Sequence, residues 1–106
     1  MNRNEINHEI KYIVDQIISK YEPSKIILFG SAGRGEYDGL NDLDFMVIKR
    51  DVPSVGINRL RELDSLIDRN IAVDLLVYRP DEIIERSRLG DPFILNIIRE
   101  GRVLYG

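Results

Sequence analysis

Three aspartates in two apolar segments are the residues of this sequence whose type and spacing could do chemistry. Asp42 and Asp44 open the segment "DLDFMVIK", and Asp74 lies inside "IAVDLLVY". Because side chains alternate across a β-strand with a period of two, Asp42 and Asp44 are expected on the same face. Two carboxylates this close repel each other unless a cation lies between them, and Mg²⁺ prefers carboxylate oxygens combined with substrate phosphates. The pair therefore indicates a metal site.

Asp74 extends this hypothesis to a second strand. A lone charge between Val73 and Leu75 is unfavourable without a partner. If the two strands are neighbours, Asp74 converges on the same site, and three carboxylates could hold two Mg²⁺ ions. Each aspartate also has an ordinary structural interpretation: Asp42 could cap a turn, Asp44 could pair with an arginine, and Asp74 could form a salt bridge. Taken together, the three residues favour metal ligation.

A glycine-rich loop, "GSAGRG", precedes these aspartates. Because glycine lets an anion approach the backbone N–H groups closely, Gly30 and Ser31 are candidates for binding phosphate. The Ser31 hydroxyl adds a donor, and the guanidinium of Arg34 suits phosphate oxygens. The loop lacks the Gly-Lys-Ser/Thr sequence of a P-loop and the glycine spacing of a dinucleotide-binding turn. A plain surface loop is the alternative, but the aspartates that follow favour a phosphate site.

Composition excludes several other classes of function. The chain has 106 residues, enough for a single domain (1–106) with one hydrophobic core. Its net charge of −3 argues against broad nucleic-acid binding. It contains no cysteine for disulfides or thiolate metal sites, and its single histidine, His8, excludes multi-histidine sites. No apolar run approaches the roughly 20 residues of a membrane span, so we expect a cytoplasmic protein without membrane contact.

Apolar periodicity predicts the elements that must position the candidate residues. In chain order they are a helix over about 4–21 with Asn4 as N-cap, strands at "KIILF" and "DLDFMVIK", a helix within 55–70, a strand at "IAVDLLVY", helices over about 81–89 and at "FILNIIRE", and a strand at "RVLY". The class is α/β or α+β. The first two strands, joined by a loop, could be antiparallel neighbours. The second and third are joined through a helix, which favours a parallel pair.

The stretch "GSAGRGEYDGLNDLD" resembles the G-S-x10-D-x-D signature of DNA polymerase β-like nucleotidyltransferases. The flanking "LFGS" also matches. The length of the chain and its ending, "IREGRVLYG", look like those of the minimal nucleotidyltransferases, the MNT proteins that are usually partnered with HEPN proteins. The resemblance implies a polymerase β palm-like fold, in which a small mixed sheet is flanked by helices.

The resemblance also implies a role for each candidate residue. Asp42 and Asp44 would bind two Mg²⁺ ions, and Asp74 would bind one of them and accept the proton of the attacking hydroxyl. The residues that would hold the triphosphate of ATP are Gly30, Ser31 and Arg34.

MNT proteins act as antitoxins that transfer AMP from ATP to a tyrosine of a partner HEPN ribonuclease toxin. The resemblance therefore implies a Mg²⁺-dependent protein adenylyltransferase with a HEPN-domain partner. The loop differs from the commoner "GSRARG" at Ala32 and Gly33, which keeps a second hypothesis open. In that alternative the chain is a non-catalytic, nucleotide-binding antitoxin that neutralises its partner by direct binding. The three aspartates favour the enzyme, and a homodimer remains open.

The last two predicted helices carry apolar residues that could form either core or an interface with a partner. We expect them to belong to the core. They are Ile83, Ile84, Phe93, Ile94, Ile97 and Ile98. The arginines of the same region are expected on the surface or in salt bridges; they are Arg86, Arg88 and Arg99.

Overall fold

Helices and strands follow one another in the predicted order in the computed structural model, which describes residues 1–106. The elements are α1 (Arg3–Tyr21), β1 (Lys25–Phe29), α2 (Gly30–Gly33), β2 (Asp42–Ile48), α3 (Gly56–Asp64), β3 (Ala72–Tyr78), α4 (Pro80–Arg88), α5 (Pro92–Glu100) and β4 (Arg102–Tyr105). The addition to the predicted order is α2, a single helical turn within the glycine-rich loop.

The four strands form one mixed sheet in the order β3-β2-β1-β4. Strand β1 is antiparallel to both β2 and β4, while β2 and β3 are parallel. Both predicted pairings and the predicted mixed sheet are confirmed. As a consequence of these directions, the carboxyl end of β1 lies beside the amino ends of β2 and β3. The glycine-rich turn and the aspartates therefore meet at one end of the sheet.

Each face of the sheet carries its own hydrophobic cluster. On β2, Leu43, Phe45 and Val47 belong to the cluster under α1 and α3, whereas Met46 and Ile48 belong to a smaller cluster under α5. The expectation of one core was wrong, because helices cover both faces of this sheet. The period of two also extends the row of Met46 and Ile48 to the aspartates at the start of β2. The carboxylates thus lie on the α5 side of the sheet.

Helix α1 begins one residue earlier than predicted, and Asn2 rather than Asn4 is its N-cap. The Asn2 Oδ1 atom accepts a hydrogen bond from the Glu5 backbone N–H at 2.8 Å, and the Glu5 Oε1 atom accepts one from the Asn2 N–H at 2.9 Å. This reciprocal capping box satisfies two N–H groups that the first helical turn leaves free. In the sequence, the glutamate three residues after Asn2 is the signal that identifies Asn2 as the N-cap.

Helix α3 ends at Asp64, short of the predicted limit at residue 70. Side chains of α1 bind the backbone that follows and hold it in a non-helical path. The Gln16 side chain donates to the Asp68 carbonyl and accepts from its N–H, both at 2.8 Å. The Glu9 carboxylate likewise accepts from the Asn70 N–H at 2.7 Å. Tertiary hydrogen bonds therefore override the helical periodicity of this segment.

A bidentate ion pair connects α3 to α4. The guanidinium of Arg59, which is buried, donates to both carboxylate oxygens of Glu82 at 2.6 and 3.2 Å. Glu82 also accepts from the Arg79 N–H at 2.7 Å. The hydrogen bond from Arg59 is the main reason that the pKa of Glu82 is lowered. This pair joins the two helices that flank the carboxyl end of β3.

The core prediction for α4 and α5 is only half right. Ile94 and Ile97 are buried against the sheet, but Ile84, Phe93 and Ile98 are exposed by 68%, 50% and 51%. Ile94 and Ile97 form the buried stripe of α5, and Phe93 and Ile98, which lie on opposite sides of that stripe, face solvent. The predicted surface arginines are confirmed, and each forms an ion pair with a nearby carboxylate. No helix has the length and apolar character that a membrane crossing requires.

Candidate active site

The three predicted aspartates come together at the amino ends of β2 and β3. Parallel pairing places Asp44 directly beside Asp74, and Asp42 lies two residues earlier on the same face of β2. One carboxylate oxygen of each residue lies within 4.8 Å of the others. Asp42 and Asp44 are partly buried, while Asp74 is exposed. The sheet therefore builds a compact group of three carboxylates that is open to solvent on one side.

Asp44 has a strongly shifted pKa, because it lies at the centre of this group. Its pKa is raised from 3.8 to about 6, mainly by burial and further by the charge of Asp42 and a hydrogen bond to Asp74. All of these causes disfavour the ionised carboxylate. No arginine or lysine balances the three charges, so the alternative in which Asp44 pairs with an arginine is wrong. The group carries negative charge that a cation could neutralise.

These three residues fit a magnesium centre. Mg²⁺ takes hard oxygen ligands at about 2.1 Å, so two ligands of one ion lie at most about 4.2 Å apart. Oxygens within 4.8 Å of one another need only small side-chain rotations to reach that spacing. The exposed side of the group leaves room for substrate phosphates as the remaining ligands. Asp42, Asp44 and Asp74 are the residues that could hold the metal.

Gly30 forms the wall of the site beside Asp44. Its φ of +66° lies in the left-handed region, which favours glycine. A Cβ atom added at Gly30 would lie 2.2 Å from the Asp44 Oδ2 atom, a distance that no side chain can occupy. The backbone at the end of β1 consequently lies so close to the Asp44 carboxylate that no space is left for a side chain. Both the turn and the close approach require glycine at this position.

The other two predicted phosphate ligands lie on either side of Gly30. Ser31 lines a cavity of about 280 Å³ together with Asp42, Glu36 and Asp38, which we call the loop cavity. Arg34 lies on the opposite side, and its Nε atom donates to Glu36 at 2.7 Å. This bond uses one of the five N–H donors of the guanidinium, so the Nη groups of Arg34 stay available for the predicted phosphate contact. Phosphate binding by these residues stays a prediction.

A second cavity near the aspartates involves residues that the sequence analysis did not select. This α5 cavity, of about 290 Å³, lies between Gly30 and helix α5. Its lining includes Phe29, Gly30, Arg34, Phe93, Asn96 and Glu100. The spacing of Phe93, Asn96 and Glu100 (i, i+3, i+7) marks one face of a helix, next to the buried stripe of Ile94 and Ile97. That second stripe was the signal available in the sequence.

Comparison with known proteins identifies the family. The family model described as "Polymerase beta, Nucleotidyltransferase" matches residues 11–106. A protein of Methanocaldococcus jannaschii, named "Putative protein adenylyltransferase MJ0604", is 32% identical over 100 residues, which cover 91% of this chain and 94% of that protein. No solved structure matches the chain. With the fold and the three aspartates arranged as described, the chain belongs to the polymerase β nucleotidyltransferase family and is a nucleotidyltransferase.

Proposed function

We propose that this nucleotidyltransferase transfers AMP from ATP to a tyrosine hydroxyl of a partner protein in the cytoplasm. We propose further that the partner is a HEPN ribonuclease toxin, which the modification silences, so that the chain acts as an antitoxin. The observation that carries the proposal is the group of three aspartates within 4.8 Å of one another beside Gly30. The name of the M. jannaschii relative supports a protein as the acceptor. The HEPN partner and the tyrosine rest on the resemblance to MNT proteins.

In the proposed reaction the acceptor hydroxyl oxygen forms a bond to the α-phosphorus of ATP. The bond from that phosphorus to the bridging oxygen breaks, and pyrophosphate leaves. Two Mg²⁺ ions bound by the three aspartates would neutralise phosphate charge and align the attacking and leaving oxygens. Asp74 is the exposed member of the group, so it is best placed to accept the proton of an incoming hydroxyl. Gly30 leaves space for the phosphates, and Ser31 offers a hydroxyl donor.

The direct test is the intact mass of a candidate HEPN partner protein after incubation with the chain, ATP and Mg²⁺. We expect a mass increase of one or more AMP units and loss of ribonuclease activity. The matched control is Asp42→Asn, which keeps the shape of the side chain but removes its charge. Omission of Mg²⁺, with EDTA present, should also prevent the mass increase.

The same experiment separates the enzyme from the non-catalytic alternative. A complex that forms and silences the toxin without any mass increase would contradict the proposed transfer and favour neutralisation by binding. A mass increase that persists at the same rate in Asp42→Asn would contradict the assignment of the metal ligands. Tandem mass spectrometry of the modified protein then tests whether the acceptor is a tyrosine.

A further inference from the structure

The α5 cavity adjoins the catalytic aspartates through Gly30. Gly30 lines this cavity and at the same time lies against the Asp44 carboxylate, where an added Cβ would be 2.2 Å from the Oδ2 atom. Phe29 pairs with Asp44 in the register of β1 and β2 and projects from the same side of the sheet. A phosphate at the aspartates would therefore have the α5 cavity as its immediate neighbour.

Aromatic side chains distinguish this cavity from the loop cavity on the other side of the site. The Phe29 and Phe93 rings meet edge to face, with centroids 6.0 Å apart and an interplanar angle of 88°. Phe93 lines the cavity and is half exposed, so its ring can contact a ligand there. The loop cavity has no aromatic lining and instead carries three carboxylates. A neutral, planar base gains more from the α5 cavity, because base–aromatic stacking is favourable for every base.

We propose that the α5 cavity binds the base of the nucleotide substrate, with the base stacked on Phe93. This proposal rests on the nucleotidyl transfer described above and adds where the nucleoside binds. The volume of the α5 cavity, about 290 Å³, lies just below the roughly 300–1,000 Å³ typical of ligand pockets, which suits a base whose phosphates extend outside the cavity. The phosphates then lie over Gly30 and the aspartates.

Asn96 gives this subsite a means of selecting adenine. Its amide presents one donor and one acceptor group together, which matches the N6 amino group and a ring nitrogen of adenine. Guanine presents two acceptors, O6 and N7, on the corresponding edge. The Asn96 Oδ1 atom accepts a hydrogen bond from Arg99 at 2.5 Å, and its second lone pair stays available. This bond holds the amide in one orientation.

The proposal is tested by comparing the binding of ATP and of inorganic tripolyphosphate, both with Mg²⁺. We expect Phe93→Leu, which keeps an apolar side chain but removes the ring, to weaken ATP binding about tenfold. Tripolyphosphate binding should not change, since it has no base. The control Leu95→Ala removes an exposed apolar side chain of the same helix that does not line the cavity, and should bind both ligands as wild type does. Asn96→Ala should lose most of the preference for ATP over GTP.

A spectroscopic signal gives an independent readout. The chain has no tryptophan, so Phe93→Trp introduces a single tryptophan, which can be excited without exciting the tyrosines. We expect ATP to quench its fluorescence by stacking, and tripolyphosphate to leave it unchanged.

The outcomes separate the two proposals. Equal losses of ATP and tripolyphosphate affinity in Phe93→Leu, or no loss of either, would overturn the base subsite while the catalytic site stands. If the wild-type protein binds neither ATP nor tripolyphosphate, the proposed transfer itself would be overturned.

Discussion

Replacing Asp44 with asparagine is expected to stabilise the metal-free protein at neutral pH and to abolish nucleotidyl transfer. Asp44 lies beside Asp42 and Asp74, and burial and these neighbours raise its pKa from 3.8 to about 6. This increase in pKa corresponds to a cost of about 3 kcal/mol for ionising Asp44 in the folded protein, at about 1.4 kcal/mol per tenfold change in the proton equilibrium. Because Asp44 is partly exposed, solvent screening reduces this to about 1.5 kcal/mol. Asparagine removes the charge that causes the penalty and keeps the shape of the side chain.

The dependence on pH has a definite sign. The folded state holds the Asp44 proton more tightly than the unfolded chain does, so the stabilising effect of that proton is complete below about pH 4. It is lost as the pH rises through about 6. Wild type and Asp44→Asn should therefore be similarly stable near pH 4, and the variant should be more stable by about 1.5 kcal/mol at pH 7.5. For a chain of this size that difference raises the melting temperature by about 6 °C.

The assay is thermal unfolding followed by circular dichroism, with EDTA at both pH values. A variant that is less stable than wild type at pH 7.5, or whose advantage is the same at pH 4, would refute the electrostatic reasoning. Adding Mg²⁺ provides the complementary measurement. A cation that binds the folded state should stabilise wild type and leave Asp44→Asn nearly unchanged.

Two further substitutions test the construction of the fold and the site. Gly30→Ala should abolish transfer and destabilise the protein, because its Cβ would clash with Asp44. Gly35→Ala is the matched control and should retain transfer, since Gly35 also has a positive φ but a Cβ added there has no other atom within 4 Å. A Gly30→Ala variant with normal turnover would contradict the close approach. Glu82→Gln should destabilise the protein by about 2 kcal/mol in urea unfolding, because the buried Arg59 charge loses its partner. This is less than the roughly 3–5 kcal/mol of a fully buried pair, since the Glu82 side chain is 33% exposed. Since the pKa of Glu82 is lowered, this difference should be present at pH 7 and shrink as the pH falls below about 4.5; a difference that is unchanged at pH 3 would argue against the ion pair.

The grouping of the three aspartates could be predicted because it depends on two local rules. The alternation of side chains along a strand places Asp42 and Asp44 on one face whatever the rest of the fold does. The helical connection between β2 and β3 favours parallel neighbours, and parallel pairing brings Asp74 beside Asp44. Both steps use short stretches of sequence, so neither depends on packing that the sequence does not reveal.

The features that could not be predicted depend on how much surface one element leaves for another. The apolar face of α5 is wider than the area that the sheet covers, and the sequence does not show which residues of that face are buried. The sheet covers Ile94 and Ile97, so Phe93 is left beside the site. Likewise, the end of α3 is set by hydrogen bonds from Gln16, which is distant in sequence.

One row of side chains on β2 contributes both to a hydrophobic cluster and to the candidate site. On β2 the row on the α5 side runs from Ile48 and Met46, which are buried under α5, to Asp44 and Asp42 beyond the cover of that helix. If α5 covered the whole row, the carboxylates would be buried without partners and the fold would be strongly destabilised. If it covered less, Met46 would lose its packing. Because the apolar residues of α5 extend only as far as Phe93, the carboxylates of the free protein contact solvent and repel one another. A cation and a nucleotide bound there would relieve that repulsion, so ligand binding and folding stability should rise together in wild type and separate when a carboxylate is removed.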